Sequence, residues 1–481
     1  MKYNKSNYRI SCLLLISVLT VSTSCKKLQE EPGSFVTPDN FYTTPAQVEA
    51  TFAASLNTLW NYWGGYGYGM GAFVHDDQYY GGNLVIGNNH GASLWRAHYT
   101  AILNLNNAIR AVKKGSLAAG TSQEVIDRLM GQAKFLRAHN YFMLVRMFGD
   151  LPLLTEDSED ATTAKVSRIP IADIYQLIVS DFLEAAAKLP ATWPSAQRGR
   201  PTSGAAKALL AKAYLTMATA PLNEASNYRK AADMAKEVMQ EGNYSLVPDI
   251  TKVFSVDTKY GPEMMWSYNS NYADINTDPQ IYKPGELDGW GDFSVQREWE
   301  EQVPAHARKD AYVLTHINGV HYSQWTGGAQ RPFIKKFMYD KQDDYNNYKS
   351  VMNMPVIRYA DVLLIFAEAE NMANGSPTQE AVDAVNQVID RANGNVVNPA
   401  HPRLTTSMTK EAFDAAVIEE RNQELAFEFD RWFDLVRKRI LKEKSIPSIQ
   451  QNFSEADYLF PIPDDDVQLN PLMEQNPGYP Q

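Results

Sequence analysis

Cysteine is almost missing from this chain. Its 481 residues hold two, Cys12 and Cys25, both close to the N-terminus. No disulfide framework can therefore brace the body of the protein, and no thiolate there can serve as nucleophile or zinc ligand. Long apolar runs are missing too. The stretch Ile10–Val21 is short of the roughly 20 residues that span a bilayer, and no other segment comes near that length. Basic charge is in deficit: 45 Lys and Arg face 56 Asp and Glu. Without residues 1–24, which carry Lys2, Lys5 and Arg9 and no acid, 42 basic residues face the same 56. An acidic surface is a poor match for a phosphate backbone, so nucleic acid is not an expected partner. Also absent are HExxH, a Walker-type phosphate loop and a GxSxG elbow. No cofactor and no metal site is expected. Asp464–Asp466 and the acidic stretch Asp340–Asp344 lack the glycine and glutamate of an EF-hand loop.

The N-terminus reads as an export signal. Lys2, Lys5 and Arg9 precede the apolar run, and Ser22, Thr23 and Ser24 lead into Cys25. This order predicts a lipoprotein signal peptide over 1–24, with Cys25 as the lipidated first residue of the mature chain; an ordinary secreted protein or an N-terminal anchor helix are the alternatives. Acyl chains contribute about 0.8 kcal/mol per buried CH2, so a multiply acylated Cys25 would hold the chain on a membrane. Residues 25–44, polar and rich in Pro and Gly, read as a tether.

From Pro45 onward the pattern is helical. Ala206, Leu209, Leu210, Ala213, Tyr214 and Met217 share one stripe, as do Tyr359, Val362, Leu363, Phe366 and Ala367, and again Leu425, Phe429, Trp432, Phe433 and Val436. Further helices are predicted over 45–60, 93–114, 122–148, 171–188, 227–241, 378–393 and 409–441. Thr202 or Ser203, and Thr378, are placed as N-caps; Gly149, Gly242 and Gly394 stand near helix ends. Alanine faces (Ala205, Ala206, Ala208, Ala211 and Ala213; Ala231, Ala232 and Ala235) allow close helix pairs, as in stacked repeats. The expectation is a mostly α chain, an α-solenoid-like scaffold, with one domain over 45–481. Irregular insertions at about 61–92, 248–355 and 442–481 interrupt it, and loops of that length are usually functional.

Two insertions are loaded with aromatics. Trp60, Trp63, Tyr66 and Tyr68 lie in a patch that runs from Trp60 to Gly82 at the start of the first, with Asp76 beside them and seven glycines between residues 60 and 82. Tyr272, Tyr282, Trp290 and Trp299 lie in the second. Flat rings offer an apolar face to the C–H face of a sugar, and each good contact contributes on the order of 1 kcal/mol beyond burial. These nine residues are the candidate ligand contacts. The competing expectation is that the same rings pack the insertions onto the scaffold. Glu420, Glu424, Glu428 and Asp434 are a candidate glycosidase carboxylate set. Their three- and four-residue spacing with Arg421, Arg431 and Arg437 reads instead as an ion ladder along one helix face.

Several motifs carry a resemblance. They include Ala133-Lys134-Phe135-Leu136-Arg137-Ala138, Phe148-Gly149-Asp150-Leu151-Pro152-Leu153 and Gly204-Ala205-Ala206-Lys207-Ala208-Leu209-Leu210. Arg358-Tyr359-Ala360-Asp361, Glu420-Arg421, Arg431-Trp432 and Phe460-Pro461-Ile462-Pro463 continue the series, which runs from Cys25 to Tyr479. In their order these motifs resemble the SusD/RagB family of Bacteroidetes outer-membrane nutrient-binding lipoproteins. His139 departs from the family pattern, where an aliphatic residue is usual. The resemblance implies a tetratricopeptide-like scaffold, in which Trp95 and Tyr99 are structural. It implies a cell-surface lipoprotein without enzymatic activity. That lipoprotein would bind an oligosaccharide and hand it to a SusC-like TonB-dependent transporter. A peptide-binding member of the family, an adaptor that caps the transporter without binding ligand, and a surface glycoside hydrolase are the rivals, in descending order.

Overall fold

The computed structural model describes residues 41–63, 89–158, 165–270, 279–291, 293–326, 330–338, 351–428, 430–444 and 453–480. Six long helices come first: α1 (Pro45–Trp63), α2 (Asn89–Lys113), α3 (Gln123–Phe148), α4 (Ile171–Lys188), α5 (Ser203–Met217) and α6 (Asn227–Glu241). Strand β1 (Met264–Tyr268) opens the irregular middle. It is followed by α7 (Arg297–Gln302), α8 (Ala307–Tyr312), β2 (Val313–Leu314), β3 (His316–Ile317), β4 (Val320–His321), β5 (Phe333–Ile334) and β6 (Met354–Arg358). Helices then resume with α9 (Tyr359–Asn374), α10 (Gln379–Ala392), α11 (Lys410–Glu424), α12 (Arg431–Arg437), α13 (Leu441–Lys444) and α14 (Asp464–Leu469).

Each long helix packs on its sequence neighbour, from α1 through α6, and α6 then packs on α9. This serial stacking is that of a tetratricopeptide-like scaffold. Local chemistry sets the boundaries. The Thr202 hydroxyl accepts from Ala205 N to start α5, Thr378 accepts from Ala381 N to start α10, and Thr409 accepts from Ala412 N to start α11. Each cap satisfies an N–H that the helix itself leaves open. Gly149 ends α3 with φ 74°, donating to the Val145 carbonyl. The alanine faces of α5 and α6 are buried against each other.

Sheet is scarce. β1 pairs antiparallel with β6, β2 with β5, and β3 with β4 through an Asn318-Gly319 turn whose two residues have φ 51° and 81°. That turn follows the usual hairpin preference for Asn-Gly. β1 carries Trp266 and Tyr268 into the core, where both touch His139 of α3. The His139 Nε2 lies 2.9 Å from the Tyr268 hydroxyl, so the imidazole gains a polar partner at a buried position. Burial holds its pKa well below the ordinary histidine value.

The predicted helix over 409–441 is not continuous. It stops at Glu424, and Phe427 sits in the left-handed region with φ 67°. The cause is a competition for carbonyls. The Glu424 carbonyl is taken by Arg358 Nη2 at 2.6 Å and the Ala426 carbonyl by Lys336 Nζ at 2.9 Å. These cations claim acceptors that a continuing helix would spend on its own N–H groups. The charged residues thus form a network between elements, not a ladder along one helix. Glu424 accepts from Arg308, Arg358 and Arg391, and Arg358 also pairs with Glu263 and Glu428. Lower down, Asp361 and Asp434 share Arg421, Lys212 joins Asp361 to Asp430, and Arg437 joins Asp434 to Glu368.

The last insertion is also pinned to the scaffold. Phe460 N donates to the Met147 carbonyl at the end of α3. Asn476 Nδ2 bridges the carbonyls of Phe148 and Phe460 at 3.0 and 2.7 Å.

Removing Arg358 takes one cation from three buried carboxylates, Glu263, Glu424 and Glu428, which keep only Arg391, Arg308 and Lys336 between them. Arg358→Met is expected to destabilise the protein by about 3–5 kcal/mol, the usual cost of breaking a buried pair from one side. Chemical denaturation of the mature chain checks this; a loss below about 1 kcal/mol, the range of surface pairs, would show that the network is not under tension.

Candidate functional site

The nine aromatic and acidic candidates separate by position. Tyr66, Tyr68, Asp76 and Tyr272 lie outside the described residues, as does Cys25. Trp63 is the last residue of α1 and only its backbone is described. Trp60 is buried on the inner face of α1, its ring 6.1 Å from Tyr268. Tyr282 is fully buried between Phe293 and Phe337, 5.8 Å from each. For these two residues packing wins, because both rings are sealed from any ligand by the core they help to build. Trp95 is buried against Phe148, and the Tyr99 hydroxyl donates to the Pro152 carbonyl, so both are structural in this fold.

Trp290 behaves in the opposite way. It is 63% exposed, whereas most large rings among the described residues are buried. The loop that carries it is tightly built. Gly289 N donates to the Pro284 carbonyl, and a Cβ on Gly289 would collide with the Lys283 carbonyl. Gly291 follows with φ 69°, a conformation that side chains disfavour, and faces the Phe333 ring. The next strand-like stretch is tied down by Phe293 N to the Ile281 carbonyl and Val295 N to the Pro332 carbonyl. Trp290 therefore projects from a braced tip flanked by two glycines.

Trp299 lies nearby in sequence on α7 and is half-buried. Its indole N–H donates to Asn422 Oδ1 at 3.3 Å, and its ring meets the edge of Phe427 at 5.5 Å. The left-handed backbone at Phe427 thus places the ring on which Trp299 rests. Asn422 is a polar contact that sequence reasoning passed over. Its place inside the charged 420–437 series masks it, and only the α7 contact reveals it.

Trp193 was also missed. It lies in the Pro190–Pro201 link between α4 and α5, and lines a surface depression of about 340 Å³ with Tyr244 and Tyr260. Its indole donates to the Pro201 carbonyl, while Arg128 and Arg200 sit 5.6 and 5.4 Å from its ring. Two guanidinium groups already use this ring, so it offers a less open stacking face than Trp290 does.

The four carboxylates considered for glycoside hydrolysis are poorly suited to it. Glycosidase acids need a raised pKa. Burial alone would raise Glu420, but Arg308 and the His401 bond outweigh it and hold the carboxyl at about 2. Glu424 and Asp434 are likewise depressed by their arginines against the effect of burial. All four, Glu428 included, are buried within ion pairs. Among the described residues, no three or more His, Cys, Asp or Glu side chains are grouped to hold a metal ion. No helix among them is long and apolar enough to cross a membrane.

Comparison with known proteins gives the class. The sequence profile of the SusD family matches residues 216–479, more than half of the chain, and one described as "Starch-binding associating with outer membrane" matches residues 46–215. The chain belongs to the SusD family. SusD-like protein P2 of Formosa agariphila is 28% identical, over 98% of this chain and 99% of its own length. A SusD superfamily protein of Parabacteroides distasonis, solved by crystallography, is 29% identical with a TM-score of 0.71, over 81% of this chain and 86% of that one. Surface glycan-binding protein A of Bacteroides thetaiotaomicron, solved in complex with laminarihexaose, has a TM-score of 0.73 at 19% identity, over 90% of this chain and 100% of that one. This last likeness is one of fold.

The titrations give the fold a directional pH dependence. His98 and His306 are pushed down to about 4, chiefly by burial. Glu156, Glu368 and Glu420 are held at about 2 by neighbouring cations that outweigh burial. In every case the unfolded chain binds protons at a higher pH than the folded chain does. Their stability contribution is complete above the unfolded values and is lost as pH falls. The thermal midpoint should therefore decline from about pH 6.5 and fall more steeply below about pH 4.5. Asp414 and Asp430, raised by burial and acidic neighbours, offset part of the second phase. A midpoint that stays constant from pH 7 to 4 would contradict the neutral buried histidines.

Proposed function

We propose that this chain is a cell-surface glycan-binding lipoprotein of the outer membrane, held there through Cys25. It captures an oligosaccharide and delivers it to a TonB-dependent transporter without cleaving it. The observation that carries the reading is Trp290, a large flat ring held in solvent by a braced loop, on a SusD-family scaffold. An apolar ring of that size in water is costly unless something covers it, and a sugar ring is a cover of the right shape. Trp299, with Asn422 at its indole N–H, supplies a second ring beside a hydrogen-bonding amide. Support for a glycan also comes from the starch-binding description of the profile matched over residues 46–215 and from the laminarihexaose complex of a protein of the same fold. Trp63, Tyr66, Tyr68, Asp76 and Tyr272 stay candidate contacts for the same ligand on their residue type alone. Trp60 and Tyr282 support it from within. The domain that carries it runs over 45–481, after the tether. The arginine-bound carboxylates around Glu420 and Glu424 favour binding over hydrolysis.

Calorimetric titration tests this. The soluble mature chain, starting after Cys25, is titrated with starch- and laminarin-derived oligosaccharides, other plant and host glycans, and short peptides. Trp290→Ala is expected to weaken glycan binding by about tenfold, as truncation of an aromatic anchor does, with an unchanged thermal midpoint; Trp299→Ala is expected to weaken it by less and to lower the midpoint, because that ring also packs on Phe427. Flat traces for every glycan, or a tight titration by peptide alone, would end the glycan reading. Copurification of the lipidated protein with a large outer-membrane barrel tests delivery.

A further inference from the structure

A cleft with about 450 Å³ of accessible space opens at the ends of α3, α4 and α5, where α12 and the C-terminal segment close over them. None of the aromatic candidates lines it. Its walls are mainly apolar, with Ile171, Leu215, Pro221, Val436 and Leu459 among them. Its charged side chains are unequal. Lys212 is bonded to Asp361 and Asp430, Arg421 to Asp361 and Asp434, and Arg437 to Glu368 and Asp434. Asp150 caps α4, accepting from Ile171 N at 2.8 Å. Arg168 has no carboxylate partner among the described residues, but its nitrogens are spent on the carbonyls of Asp150, Glu474 and Phe148 and on Asn476.

Arg146 is the exception. Its guanidinium lies between the rings of Phe142 and Phe433, 3.9 Å from each centroid. Nε donates to the Phe142 carbonyl at 3.0 Å and Nη2 to the Met143 sulfur at 2.8 Å. Nη1 has no hydrogen-bond partner among the described residues, and the side chain lines the cleft. Two aromatic faces fix the plane and leave one edge toward the space. Asp430, Asp434 and Asp361 stand near Arg146 and favour its charge, but they are bonded to Lys212, Arg421 and Arg437, and none takes Nη1. The burial that depresses the Arg146 pKa is the same burial that makes an added anion worth more here than in water.

We propose that this cleft is a second ligand site, which takes a small organic carboxylate with an apolar body. The carboxylate sits on the open edge of Arg146, and the body lies against Leu215, Pro221, Val436 and Leu459. The chemistry follows from the lining. One fixed guanidinium edge, held by two ring stacks, selects a planar anion. The apolar walls select against a body as hydroxylated as a sugar. This site stands apart from the glycan surface and does not depend on it.

Benzoate and hexanoate are the probes, with benzamide and hexanamide as neutral isosteres. Ligand-detected NMR and calorimetry are run on the mature chain starting after Cys25. The carboxylates are expected to bind and the amides at least about tenfold more weakly, since a charge-assisted bond is lost. Arg146→Gln should weaken carboxylate binding by about the same factor, and Arg146→Lys should restore part of it. Arg146 is packed tightly, so a second variant guards against misfolding. Val436→Trp fills the cleft from a half-exposed position, leaves Arg146 in place, and should abolish binding. Trp290→Ala should leave benzoate binding unchanged, and Val436→Trp should leave oligosaccharide titrations unchanged. Equal binding of acids and amides, binding that survives Val436→Trp, or no binding of either acid up to about 10 mM, the weak end of small-ligand affinity, would each overturn the proposal.

Discussion

Glu424 is a buried carboxylate held by three arginines, and much of the irregular half of the protein hangs on it. Arg308 reaches it from α8, Arg358 from the end of β6, and Arg391 from α10, at 2.9, 2.6 and 2.6 Å. Each of these ions alone would lose several kcal/mol on leaving water. Together they bring the insertion, the strand pair and the late helices to one point. Apolar packing is tolerant of small shifts; a bidentate guanidinium is not. A network of this kind sets where an insertion docks more sharply than it sets how strongly. That matters for a segment whose own secondary structure is sparse, a few two-residue strands and single-turn helices. The loop bearing Trp290 and the helix bearing Trp299 can be rigid because the elements beside them are fixed by charge.

The same network explains where sequence reading succeeded and where it stopped. Helices such as α5 were legible because their pattern is local: a cap at Thr202, an alanine stripe, an end near Met217. The break after Glu424 was not. Leu425 to Val436 keeps a helical apolar period and holds neither glycine nor proline. What ends the helix is remote: Arg358 and Lys336, far away in the chain, take the carbonyls of Glu424 and Ala426. No window of sequence contains both parties. The apparent ion ladder failed for the same reason, since most of its partners lie on other elements. Long-range charge pairing overrides local periodicity wherever a buried ion must find an acceptor.

The aromatic residues teach a narrower lesson. Trp60, Tyr282, Trp290 and Trp299 are alike in composition and in their polar surroundings along the chain. Structure buries two, exposes one and leaves one between. Sequence could name the residue type a sugar needs but not the side of the loop it faces. One local signal was present: Trp290 is flanked by glycines at 289 and 291, and both are required by the turn that lifts the ring outward. Trp60 sits in a continuous helix with no such break, and its helical face commits it to the core. Asn422, by contrast, left no mark in the sequence, because its pairing with Trp299 spans more than a hundred residues.

The two proposed recognition surfaces differ in how the fold supplies charge. At Trp290 and Trp299 no ion-paired wall is needed, because a neutral sugar asks for ring faces and hydrogen bonds, and the loop offers them at the surface. In the cleft beside α12, Lys212, Arg421 and Arg437 hold the carboxylates, and Arg146 Nη1 is left without a hydrogen-bond partner among the described residues. Two ring stacks, the Met143 contact and the field of Asp430, Asp434 and Asp361 keep Arg146 there, and its Nη1 edge still faces the cleft. The same bookkeeping that makes Glu424 a structural anchor makes Arg146 an open position. The difference is only whether the partner comes from this chain or from outside it.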